Sequence, residues 1–198
     1  NSKLLRLILI LILYDLLFLQ KNYFMKKIFL LLVSLIFTNT SSAQTTIYNE
    51  TINDIDGNKI NFNDYKGKYL LFVNVASYCG FTNQYKELEV LYKKYSDKLA
   101  VFGVPCNQFG NQEPGNANEI KQFCEAKYDI SFVLTEKIDV KGKKQHSLYS
   151  WLTNKNGVKK SSVKWNFQKY LVSDEGKLVD YFYSTTSPLS DKITSYLD

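Results

Sequence analysis

Among the three cysteines and the single histidine (His146) of this chain, Cys79 has the surroundings that suit chemistry. It follows the apolar run YLLFVNV (Tyr69 to Val75) and precedes a stretch where Leu88, Leu91, Tyr92 and Tyr95 recur at helical spacing. That places it at the carboxyl end of a buried strand and near a helix amino terminus, where open α/β sheets put their ligands. Free N–H groups and the helix dipole favour an anion there, and the anion is the form in which a cysteine is nucleophilic. Gly80 lets the backbone come close. The competing reading makes Cys79 a small packing residue at a strand end. Cys106 ends a second apolar run and reads as a packed thiol. The spacing of residues 79, 106 and 124 matches no metal knuckle, and one histidine is too few for most zinc sites.

These residues need a scaffold. Tyr69 to Val75 and Leu99 to Pro105 are continuous runs of strand formers, as expected of parallel strands buried on both faces. The amphipathic segment between them completes a βαβ unit. Asn116 with Glu119 three residues on reads as a capping box. The helix it opens carries Ile120, Phe123, Cys124 and Tyr128 on one face. His146 to Leu152 predicts a short helix. Phe167 to Ser173 and Lys177 to Tyr183 predict strands joined by a tight Gly-containing link, and Asp56-Gly57 marks a leading hairpin. The expected architecture is α/β, a mixed central sheet with helices on both faces.

The tetrapeptide Cys79-Gly80-Phe81-Thr82 resembles the Cys-x-x-Cys of thioredoxins with threonine in the second cysteine's place. Lacking that partner, a dithiol shuttle stalls at the mixed disulfide, so peroxide reduction is the better use of one activated thiol. Three longer blocks, NVASYCGFTNQY (Asn74 to Tyr85), VPCNQFGNQEPG (Val104 to Gly115) and VKWNFQKYLV (Val163 to Val172), resemble the signature blocks of the glutathione peroxidase family in order and spacing. The resemblance extends over essentially all of residues 45–198. It implies a thioredoxin-like fold, reduction of hydrogen peroxide and organic hydroperoxides without a cofactor or metal, and Cys79 as the residue attacked by peroxide. It also implies that Gln112, Trp165 and Asn166 complete a catalytic tetrad. Amide and indole donors of that kind stabilise a developing oxyanion without titrating near neutrality.

Members reduced by thioredoxin rather than glutathione carry a resolving cysteine in the second helix. Cys124 falls about one residue from the position seen in some of them, and a silent core thiol is its other reading. The usual proline is missing from SFVLTEK (Ser131 to Lys137), and Ser147 follows His146 where proline is common. The stretch from Leu152 to Trp165 lacks the longer insertion of tetrameric, glutathione-using members, which implies a monomer reduced by a thioredoxin-like dithiol, with glutathione the other candidate reductant. A redox relay that senses peroxide at Cys79 and passes a disulfide to a partner needs the same cysteine and stays open. A general thiol:disulfide oxidoreductase is weakened by Thr82.

The remaining chain sets the context. With 45% apolar and 15% aromatic residues, the chain can bury one core, and its length suits one domain. Lys3, Arg6, Lys21, Lys26 and Lys27 against Asp15 leave residues 45–198 with only +2 of the formal +6, too little for a nucleic-acid footprint. Met25, Lys26 and Lys27, the apolar run Ile28 to Phe37 and the small residues up to Ala43 have the three parts of a secretory signal. On this reading residues 1–24 are upstream translation, 25–43 a signal peptide and 45–198 the domain. The expected product is periplasmic or secreted, without stable membrane insertion after cleavage. The alternative keeps Leu7 to Leu19 and Ile28 to Phe37 as a membrane anchor.

Overall fold

The computed structural model describes residues 2–18, 46–153 and 161–198. The signal segment expected from Met25 to Ala43 lies outside these residues. The chain divides into two units, Asn1–Ala43 and Gln44–Asp198. In the first, helix α1 (Ser2–Phe18) is dominated by Leu and Ile. Among the described residues no helix is long and apolar enough to cross a membrane.

The second unit begins with the hairpin β1 (Ile52–Asn53) and β2 (Lys59–Ile60), turned at Asp56-Gly57 as expected. The runs read as buried strands are β3 (Tyr69–Val75) and β4 (Leu99–Pro105). They pair in parallel from Tyr69–Leu99 to Val75–Pro105. Helix α2 (Gln84–Lys94) forms the crossover and buries Tyr85, Leu88 and Leu91. Helix α3 (Ala117–Tyr128) follows, then β5 (Val133–Leu134), helix α4 (Ser147–Thr153), the hairpin β6 (Lys169–Val172) and β7 (Leu178–Phe182), and helix α5 (Asp191–Thr194). The sheet order is β5-β4-β3-β6-β7, with β6 and β7 antiparallel to their neighbours.

Alternation along β3 builds a core on each face. Leu70 and Phe72 point to one side, where Phe72 stacks on Phe102 at 4.9 Å and α4 contributes Tyr149 and Trp151. Leu71 and Val73 point to the other, against α2 and α3. Each such side chain contributes about 1.5–3 kcal/mol on burial, so the strand ends that carry the site rest on rigid support.

The capping box at α3 forms as the sequence predicts. Asn116 Oδ1 accepts from Glu119 N at 3.0 Å while Glu119 Oε2 accepts from Asn116 N at 2.8 Å. The helix ends at Asp129, which sits in the left-handed region at φ 49. Strand β5 has no counterpart in the sequence reading, because two residues are too short to show a period.

Candidate active site

Cys79 lies beyond the carboxyl end of β3, half-buried, with Sγ accepting from Phe81 N at 3.5 Å. The helix does not begin at the cysteine. Turns and a bend occupy residues 77–83 and α2 opens at Gln84, so the N–H that reaches the sulfur is the turn amide of Phe81. Thr82 builds that turn. Its Oγ1 accepts from Cys79 N at 2.9 Å and lies 2.9 Å from Ala76 O and 2.7 Å from Cys79 O as a donor. The threonine thus holds the loop by hydrogen bonds where a thioredoxin has its second thiol.

The three sequence blocks meet at this strand end. Tyr78 N donates to Gln112 O at 3.0 Å, joining the Cys79 loop to the loop after β4. That loop turns through two left-handed residues, Gly110 at φ 66 and Asn111 at φ 52; asparagine tolerates this conformation better than most residues. Asn166 Nδ2 donates to Gln112 Oε1 at 2.9 Å, which leaves Gln112 Nε2 without a partner among the described residues. Asn74, inside β3, donates from Nδ2 to Trp165 O at 3.0 Å, and its main-chain O accepts from Phe167 N at 2.6 Å. Phe167 is held at φ 62, a costly conformation for a bulky residue and one that gathers at functional sites.

Asn166 is fully buried, with Oδ1 unpaired. Trp165 is 40% exposed and leans on Phe109 with ring centroids 5.8 Å apart. Gln112, Trp165 and Asn166 are thus tied to the segment around Cys79 through Tyr78 N and Asn74 Nδ2, yet among the described residues none donates to its Sγ; only the Phe81 amide does. Cys106 is buried, and burial raises its pKa, in keeping with a packed thiol. Cys124 is fully buried on α3, where burial pushes its thiol up to about 11. Among the described residues no three His, Cys, Asp or Glu gather as a metal would need.

Residues 47–153 match the family model for glutathione peroxidase. The chain belongs to the glutathione peroxidase family. It is 48% identical over 151 residues to glutathione peroxidase-like peroxiredoxin 2 of Saccharomyces cerevisiae, covering 74% of this chain and 92% of the relative. It is 44% identical over 157 residues to hydroperoxy fatty acid reductase gpx1 of Synechocystis sp., covering 75% and 93%. The crystal structure of Trgpx in apo form superposes with a TM-score of 0.61 at 38% identity, covering 77% of this chain and 95% of that one. A thioredoxin family thiol:disulfide interchange protein from Chlorobium tepidum, at 12% identity and TM-score 0.58, shares the fold alone. The thioredoxin-like fold and the peroxidase class expected from the sequence both stand.

Two features of this family site escaped the sequence reading. Lys169 is fully buried on β6 and donates to Gln84 Oε1, Ser184 O and Thr186 O. Ser184 Oγ in turn donates to Asn166 O, so the ammonium braces the turn that holds Asn166. Burial moves the Lys169 pKa down to about 7, whereas its three oxygen acceptors suit the charged form. Glu113, next to Gln112, is a carboxylate with no exposed surface. Neither position breaks a sequence pattern, and a single apolar or charged letter carries no sign of its burial.

Proposed function

We propose that this peroxidase reduces hydrogen peroxide and organic hydroperoxides through Cys79, with a thioredoxin-type dithiol as reductant and Cys124 as the resolving cysteine. The Cys79 sulfur attacks one peroxide oxygen. An S–O bond forms, the O–O bond breaks, and the other oxygen leaves as an oxyanion that takes up a proton. The Phe81 amide supports the sulfur anion before attack. With Gln112 Oε1 engaged by Asn166, the Gln112 Nε2 group and the Trp165 indole N–H remain to donate to the departing oxygen. Preorganised donors of this kind are worth roughly 10²–10³-fold each in rate.

The observation that carries this reading is the hydrogen bond from Phe81 N to Cys79 Sγ, at the point where the three blocks converge. The peroxiredoxin name of the yeast relative and the reductase name of the Synechocystis relative support a thiol peroxidase, and the hydroperoxy fatty acid of the latter favours organic hydroperoxides among the substrates. Cys79→Ser should abolish peroxide consumption, since a hydroxyl is far less acidic than a thiol; retained turnover in that variant refutes the assignment. Side-by-side assays with thioredoxin and glutathione decide the reductant.

The chain acts as a monomer and is exported. The charged, apolar and small-residue parts from Met25 to Ala43 support a signal peptide and a periplasmic or secreted enzyme starting near Gln44. Amino-terminal sequencing of native protein that finds residues 1–24 attached overturns this reading.

A further inference from the structure

Trp165 offers its indole N–H from a surface position, 40% exposed. Its main chain is held by Asn74 Nδ2, which donates to Trp165 O at 3.0 Å. A held backbone still leaves the side-chain torsions a choice of rotamers. Among the described residues the one aromatic ring in contact with the indole is that of Phe109, with centroids 5.8 Å apart. Whatever holds Phe109 therefore limits where the indole can point.

Phe109 is buried in the core with Val140 and Val163. Two further groups act on it from residues 108 and 141. Lys141 Nζ lies over the Phe109 ring, 4.0 Å from its centroid, where a cation is drawn to the negative face of the ring. This ammonium takes part in none of the ion pairs among the described residues. Its main chain is clasped by the residue that precedes Phe109. Gln108 Oε1 accepts from Val140 N at 2.8 Å and from Lys141 N at 3.1 Å, while Gln108 Nε2 donates to Lys141 O at 2.9 Å. Gln145 Nε2 adds a bond to Val140 O at 3.0 Å. Neither the Gln108 loop nor residues 136–141 belong to a strand or helix, so one side-chain amide supplies the pairing that a sheet neighbour would otherwise give.

We propose that Gln108 and Lys141 are positioning residues for the peroxide step: through Phe109 they fix the direction in which Trp165 presents its indole N–H to the departing oxygen. Gln108 holds the two loops together, Lys141 holds the ring, and the ring restrains the indole. Neither residue needs to touch peroxide or Cys79. Direction matters because a hydrogen bond weakens steeply as its angle closes, and a donor accelerates the reaction only when it is aimed where charge develops. Phe109 is well placed for this task, since its main-chain O also lies 3.5 Å from Asn166 Nδ2 and the residue thus borders two members of the tetrad. The role rests on the Trp165 indole being a donor to the departing oxygen.

The test uses the full chain with Lys141→Met, Lys141→Arg, Gln108→Met and Trp165→Phe, and with Lys141→Met combined with Trp165→Phe. Oxidation of Cys79 by hydrogen peroxide is followed by stopped flow. Fluorine NMR of protein labelled with a fluorinated tryptophan reads Trp151 and Trp165 separately, and Trp165→Phe assigns the two signals. Lys141→Met should slow oxidation roughly two- to fivefold, the scale of an exposed cation–π contact, and Gln108→Met about tenfold. Both should shift or broaden the Trp165 signal and leave that of Trp151 in place. Lys141→Arg should restore rate and signal, because a guanidinium also stacks on an aromatic face. Once Trp165 is phenylalanine, Lys141→Met should have no further effect. Slowing that persists in that background, slowing with an unmoved Trp165 signal, or an unaltered rate in both Lys141→Met and Gln108→Met overturns the positioning role while leaving Trp165 its own. An unaltered rate in Trp165→Phe instead removes the indole from the peroxide step, and the positioning role falls with it.

Discussion

Asn166 Nδ2 donates to Gln112 Oε1 at 2.9 Å, so two loops 54 residues apart present one donor surface. The bond fixes which end of the Gln112 amide is free. Replacing Asn166 by alanine releases the glutamine to rotate, and replacing Gln112 removes the donor outright. Each substitution should slow Cys79 oxidation by about ten- to a thousand-fold in stopped-flow measurements. Because both act through one amide, the double variant should be little slower than the worse single one. Independent effects that multiply would show that Asn166 does not act through Gln112.

Lys169 is the next support outward. Lys169→Met removes the donor from Gln84 Oε1 and Thr186 O, while Ser184 O keeps its bond from Gln84 Nε2 at 2.7 Å. A loss of about 1–3 kcal/mol in urea unfolding is expected for one such change. Because Ser184 also holds Asn166 O, Cys79 oxidation should slow as well. An unaltered oxidation rate in a destabilised variant would confine Lys169 to a structural role.

Most of the scaffold was legible in the sequence because β3 and β4 are buried on both faces and read as unbroken apolar runs, and because α3 announces itself through Asn116 and Glu119. Cys79 was legible from its place between strand and helix. Its donor was not. The helix was expected to supply the N–H groups, but Thr82 winds the preceding residues into turns whose amide at Phe81 reaches the sulfur. Glu113 and Lys169 stayed hidden for a related reason: whether a charged side chain is buried depends on contacts far along the chain, and nothing in QEPG or NFQKY encodes those contacts locally.

Glu113 leaves a mark on stability. Its folded pKa is about 6, raised by burial from 4.5, so between those values the native state binds more protons than the unfolded state. Stability from this group is therefore full below about pH 4.5 and is lost as pH rises through 6. At 1.36 kcal/mol for each pH unit of difference, the loss amounts to about 2 kcal/mol. The stability of the unsubstituted chain minus that of Glu113→Gln should fall by about this amount between pH 4.5 and 7, measured by denaturant unfolding. A difference that does not change with pH would mean that the carboxylate is better solvated than its burial implies.

The last prediction concerns the helix that holds Cys124. Its thiol is fully buried, and α3 is tied down at its start by the reciprocal Asn116–Glu119 bonds and along its length by Ile120, Cys124 and Tyr128. If Cys124 is the resolving cysteine, it reaches Cys79 only after this helix loosens, and the population of the opened helix then limits disulfide formation. Asn116→Ala removes one half of the capping box and costs the helix about 1 kcal/mol. If opening precedes bond formation, that cost raises the opened population roughly fivefold, since 1.4 kcal/mol is a factor of ten. Asn116→Ala should then form the Cys79–Cys124 disulfide up to about five times faster, although the protein as a whole is less stable. Cys124→Ser gives the reference: Cys79 should still be oxidised by the first peroxide, but turnover with thioredoxin should collapse and sulfinic acid should accumulate on Cys79. A disulfide that forms more slowly in Asn116→Ala would mean that the folded helix itself presents Cys124 to Cys79. Full thioredoxin-dependent turnover in Cys124→Ser would mean that the thiol on α3 is a core residue, and that the reductant attacks the oxidised Cys79 directly.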